Sequence, residues 1–190
     1  MMVRVTGFVA AVLMLVGTSV LAAPLQLQPA NPQPTDLQPG LSVTYAYPPD
    51  VRTLSNAREA LENGSETGQP LKGLDHRNTK AGQNVLTATR DEMVAARITG
   101  YIKFDAPGTY KVDFLTNDGL HAKVGGHTVG KFDGRQTCDN TFTYEIIVPQ
   151  AAWYPVDVLW FQRRNTACLH MRLAPKGQKL TWVPDAVFGH

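Results

Sequence analysis

GYIKFDAPGTYKVDFLTNDGLHAKVGG, residues 100–126, alternates apolar and polar side chains between three turn signals. Pro107-Gly108 suits the centre of a type II turn, because proline presets the first φ and glycine accepts a positive second one. Asp118-Gly119 marks a second reversal. Gly125-Gly126 marks a third, of the primed hairpin kind, between strands at 120–124 and 127–132. A two-residue turn there pairs Val124 with His127 and Ala122 with Val129. That register puts His121 and His127 on opposite faces, so they do not share a metal.

Working outward, Val94, Ala96, Ile98, Ile102 and Phe104 share one face of a strand while Arg97, Thr99 and Lys103 share the other. Tyr110, Val112 and Phe114 alternate in the same way with Lys111 and Asp113. Further strands are expected at 141–148, 153–162 and 168–173. In the second of these, Val156, Val158 and Trp160 oppose Leu159 and Phe161, which predicts a central strand covered on both sides. Upstream, 41–47 reads as a strand. Asn56 and Glu59 form a capping box, residues 57–61 are good helix formers and Gly64 is a stop, so one short helix is expected. Residues 68–84 read as loop, with a short strand near 85–87 and a helical turn from Thr89. The fold class is all-β: an antiparallel two-sheet sandwich, jelly-roll-like, with one short N-terminal helix.

Residues 1–22 carry Arg4, then a nearly unbroken apolar run ending in Val20-Leu21-Ala22, and read as a signal peptide cleaved after Ala22. An uncleaved anchor is the alternative, but the run is shorter than the ~20 residues of a spanning helix. No membrane span is expected after cleavage, and the location is periplasmic or secreted. No cysteine follows the run directly, which argues against a bacterial lipoprotein. Residues 23–40 (APLQLQPANPQPTDLQPG) read as a Pro/Gln-rich spacer. Residues 41–190 then make one domain, expected as a monomer. The formal net charge is only +2, with Arg4 in the leader, so no field recruits nucleic acid or an anionic membrane.

Cys138 and Cys168 are the two cysteines, and an oxidising compartment favours their pairing as a disulfide over two buried thiols. Such a bond is worth roughly 3 to 4 kcal/mol in the chain-entropy description. It also ties 133–140 (DGRQTCDN) to 162–167 (QRRNTA). Arg135, Gln136, Arg163, Arg164 and Asn165 then form a ligand-binding set near Asp139, suited to hydroxyls or carboxylates. The alternative is a solvated rim whose arginines pair with Asp133 or Asp139. No Gly-x-Ser-x-Gly elbow, P-loop or His-Glu-x-x-His occurs, so no enzyme is expected.

Gly100-Tyr101-Ile102, Pro107-Gly108-Thr109-Tyr110, Asn117-Asp118-Gly119, Asp133-Gly134, Val183-Pro184 and Phe188, in this order and spacing, resemble the protective-antigen-type domain, the PA-fourteen family of β-sandwich modules. The resemblance implies a two-sheet sandwich and, from adhesin members, calcium-dependent glycan binding at an Asp-Asp-Gly turn. Asn117 stands where that family carries the first aspartate, which removes one negative charge. The implied metal set is Asn117 and Asp118 with Asp139 and Asn140, and calcium is the implied cofactor. A simple turn shaped by Asn, Asp and Gly is the alternative. The expected role is a non-enzymatic module recognising carbohydrate or a cell-envelope surface. The other reading is an envelope structural or protein-interaction domain without glycan binding.

Overall fold

The computed structural model describes residues 24–190; the expected signal peptide lies outside the described residues. The chain runs through β1 (Leu25–Gln26), β2 (Ser42–Ala46), α1 (Leu54–Asn63), β3 (Glu66–Thr67), β4 (Asp75–Thr79), β5 (Val94–Phe104), β6 (Gly108–Asn117) and β7 (Leu120–Val124). It continues through β8 (His127–Phe132), β9 (Asp139–Asn140), β10 (Tyr144–Val148), β11 (Ala152–Gln162), β12 (Ala167–Pro175), β13 (Thr181–Trp182) and β14 (Phe188–Gly189).

Two sheets result. One has the order β1-β10-β6-β12-β13, with β4 on β12 and β9 on β6; the other has β3-β2-β5-β11-β7-β8, with β14 on β5. All pairings are antiparallel except β1 with β10. Val112, Phe114, Ile146, Leu169 and Met171 of the first sheet meet Ile98, Ile102, Tyr154, Val158 and Trp160 of the second in one core. Removing the Trp160 side chain would cost about 3–5 kcal/mol, as core aromatic truncations do. As expected, β11 is central. Its Phe161 is fully buried on the outer face, where Leu54 and Ala57 of α1 cover it.

Several expectations shift. The helix begins one turn earlier than Asn56, because the Thr53 hydroxyl accepts the Asn56 N–H and the Leu54 N–H donates to Asp133 Oδ1 across the fold. Gly64 ends it as expected, its N–H donating to the Ala60 carbonyl at 3.2 Å. Residues 75–79, expected as loop, are the edge strand β4 on β12. Their polar sequence hides a strand whose backbone pairs with β12 while Asp75, His76 and Thr79 are half-buried and Arg77 is exposed. Neither the short strand at 85–87 nor the helical turn at Thr89 forms. In the β7–β8 hairpin a bulge at Ala122/Lys123 pairs Ala122 with Gly130 rather than Val129. Val129 and Gly130 are both buried there, with Gly130 tight against the Phe114 ring.

The Pro/Gln-rich stretch lies against the sandwich. Leu27 is 1% exposed and its N–H donates to the Ile147 carbonyl, Gln28 N–H donates to Gly125, and Gln38 exchanges two backbone bonds with His190. Among the described residues no helix is long and apolar enough to cross a membrane.

Candidate functional site

Four strand ends converge at one end of the sandwich. Gln162 at the end of β11 is level with Val94 at the start of β5, and Cys168 near the start of β12 is level with Asn117 at the end of β6. Asn117-Asp118-Gly119 carries the chain from one sheet to the other. The Asp118 N–H donates to the Phe161 carbonyl and the Phe161 N–H donates to that of Gly119, at 3.0 and 3.1 Å. Only glycine fits at 119, because a Cβ there would overlap the Phe161 ring. The Asn117–Asp118 peptide is cis.

Two loops wall this turn. Cys138 and Cys168 are bonded, with Cα atoms 5.8 Å apart, so the loop ahead of β9 is fastened to β12. Asp118 gathers both loops: Oδ1 accepts the Gln136 N–H at 3.0 Å and Oδ2 accepts the Arg163 N–H at 2.8 Å. Burial pushes the Asp118 carboxyl above its ordinary range, against the opposing pull of those two N–H groups and of nearby Arg135 and Arg163. The Gln136 amide spans to the carbonyls of Thr116 and Asp139. Asn165, at φ +68°, is held by its N–H on Glu92 Oε1.

The result is a cleft of about 590 Å³. It contains Asn117 and Asp118 of the expected metal set and all five expected ligand-binding residues, Arg135, Gln136, Arg163, Arg164 and Asn165. Thr137 and Thr166, which the sequence reading passed over, also line it; both sit inside the two loops already singled out. Asp50 is a further omission: it accepts from Arg163 Nε at 2.7 Å and from Arg52, and nothing next to Pro48-Pro49 signals that role.

Asp139 and Asn140 do not reach the cleft. Their short strand pairs with β6 at Thr116 and Leu115, and Asn140 Oδ1 accepts from Arg172 at 2.8 Å. Arg172 itself forms a two-pronged pair with the buried Asp113, at 2.8 and 2.7 Å, and Thr143 donates to the same carboxylate. The arginines expected to pair with Asp133 or Asp139 do not; Asp133 caps α1 instead.

Two side chains that line the cleft carry oxygens with capacity for a cation. Asn117 Oδ1 is buried without a hydrogen-bond partner, and the Asp118 carboxylate keeps lone-pair positions beyond the two N–H bonds it accepts. The sulfurs of Cys138 and Cys168 also lie within 4.8 Å of the His170 imidazole, but as a disulfide they offer no thiolate. His170 hydrogen-bonds Asp75 through Nδ1 at 3.0 Å and stacks near Trp182.

No protein-family model and no curated protein matches the sequence. Solved structures do. The chain is similar to the PA14 domain of an antifreeze protein, with TM-score 0.68 and 15% identity over 82% of this chain and 93% of that one. It is similar to a PA14 sugar-binding domain from an RTX adhesin, with TM-score 0.62 and 15% identity over 80% and 98%. A third neighbour is the epithelial adhesin 9 A domain of Candida glabrata, solved with Galβ1-3GlcNAc, with TM-score 0.59 and 12% identity over 84% and 92%. The fold is therefore that of the PA14 sandwich.

Proposed function

We propose that this chain is an exported, non-enzymatic module that binds carbohydrate in the cleft around Asn117 and Asp118, with calcium as an assisting ion. The observation that carries the reading is the lining: every side chain in the cleft is polar or charged, and the loops that present them are fixed by a disulfide. Pockets for apolar ligands are walled mostly by hydrophobic and aromatic groups, whereas this one offers hydroxyls, amides and guanidinium groups to a hydrated ligand. The sugar-binding PA14 domain and the adhesin domain solved with a glycan, among the structural neighbours, support the same ligand class. The disulfide accords with an oxidising compartment outside the cytoplasm.

The residues fit calcium as a weak site. Asn117 Oδ1 and the Asp118 carboxylate would hold the ion, and the remaining positions would fall to backbone carbonyls, water and ligand hydroxyls. When bound, the ion would supply direct coordination of sugar hydroxyls. Asp118 also binds both loops into place, and the Cys138–Cys168 bond keeps them there.

A glycan array probed with the mature protein, with calcium and with chelator, tests the proposal. Retention of a defined glycan that weakens under chelation and disappears in Asp118→Ala is the expected result. An array blank in both conditions would remove the carbohydrate reading. The alternative, an envelope protein-interaction domain, draws on Phe142 and Trp182, which are 75% and 41% exposed on a different part of the surface. It predicts co-purification with one protein, insensitive to chelation and lost on Phe142→Ala.

A further inference from the structure

We infer that the sugar taken by this cleft bears a carboxylate, as a uronic acid does, and that Arg135 and Arg164 select it. The inference rests on the carbohydrate reading and adds the ligand's charge. Arg52, Arg77, Arg97, Arg163 and Arg172 each have a carboxylate partner within the protein. Arg135 and Arg164 line the cleft, are exposed, and among the described residues have no such partner. The single carboxylate of the cleft, Asp118, already accepts a backbone N–H on each oxygen, and Arg163 is engaged by Asp50. Two guanidinium groups therefore share a polar hollow with a single acidic side chain, which forms a salt bridge with neither.

Their placement makes this more than a surplus of charge. Arg135 comes from the loop ahead of β9 and Arg164 from the loop between β11 and β12, and the disulfide fastens the first loop to β12 where the second loop ends. Arginine on a fixed loop offers a planar fork that matches a carboxylate with two parallel hydrogen bonds. Thr137 and Thr166 in the same lining add hydroxyl partners for the rest of a sugar ring. A neutral sugar leaves the two positive charges uncompensated, and a bound calcium ion would deepen that deficit. An acidic sugar relieves it in either case.

The test uses a matched pair of probes: an oligomer of galacturonic acid and the same oligomer with its carboxyl groups reduced to alcohols. A sulfated neutral oligomer serves as a third probe, and all are titrated calorimetrically into the mature protein with and without calcium. The acidic oligomer should bind on the order of tenfold or more tightly than its reduced form. The double variant Arg135→Ala/Arg164→Ala should abolish that preference, the Arg135→Lys/Arg164→Lys variant should retain part of it, and Arg58→Ala, outside the cleft, should leave it intact. Thermal melts of each variant confirm that the fold is kept. Equal binding of the acidic and reduced oligomers would overturn the inference and leave the carbohydrate reading standing. Equal binding of the sulfated and carboxylated probes would overturn the carboxylate assignment in favour of general charge attraction. Binding of none of these probes, together with a blank array, would remove both.

Discussion

Asp113 and Asp118 lie on one strand and the turn that ends it, both are nearly buried at 2% and 6% exposure, and they are satisfied in opposite ways. Asp113 is closed off: a two-pronged Arg172 and the Thr143 hydroxyl fill it. Asp118 accepts only backbone N–H groups from the loops it organises, although Arg135, Arg163 and Arg164 line the same cleft. A buried carboxylate matched by guanidinium is a finished structural joint. One matched by main-chain amides leaves the guanidinium groups of Arg135 and Arg164 free for a ligand.

The largest expected effect comes from exchanging these roles. Asp113→Ala strands Arg172 beside a buried gap and should cost about 3 kcal/mol in urea unfolding, at the low end for a broken buried pair because Arg172 is 24% exposed. Its glycan binding should persist. Asp118→Ala should show the reverse, losing binding while costing about 1–2 kcal/mol for two amides left without their acceptor. Equal losses of stability and binding in both variants would erase the distinction.

Asn117→Asp sharpens the same contrast with a smaller change. It restores a second carboxylate beside Asp118, and calcium affinity by calorimetry should rise on the order of tenfold. An unchanged affinity would mean that the ion is not held at this turn.

The smallest effect is in pH dependence. Hydrogen bonds from Arg163 and then Arg52 hold the Asp50 carboxyl down at about 2. Its folded value lies below its unfolded one, so its contribution to stability is complete above roughly pH 4 and is lost as pH falls toward 2. Asp118 has the opposite sign: its raised value gives a contribution present in acid and lost as pH rises through that value. Asp50→Asn should flatten the acid limb of a stability profile and slightly loosen Arg163. A profile identical to that of the unaltered protein would show that the Asp50 pair contributes nothing measurable.

The sandwich was legible because Val94, Ala96, Ile98, Ile102, Phe104, Val112, Phe114, Leu120, Ala122 and Val124, the apolar residues spaced by twos, are all buried, so patterning and packing agree there. The disulfide and the two loops it joins could be read from two cysteines alone. The rest depends on contacts distant in sequence. β4 is polar because it is an edge, and its pairing with β12 leaves no periodic trace. Thr53 outcompetes Asn56 as the cap because Asp133 binds the next amide. Asp139 and Asn140 looked available for a metal, but cross-strand register seats them beside Leu115 and Thr116, where Arg172 takes the amide oxygen. The cleft residues were readable as types, while the partner of each was not.

The anchoring of both ends of the described residues gives the sandwich a polarity. Leu25 and Gln26 pair with Ile146 and Ile147, beside the start of β6, Gln28 bonds at Gly125 beyond the end of β7, and Phe188 pairs with Ile102 near the finish of β5. All of these are the strand termini farthest from Asn117, Gln162 and Val94. Any tether fused at residue 24 or residue 190 would grip the molecule by its base and leave the arginine-rim mouth pointing outward, unshadowed by whatever carries it.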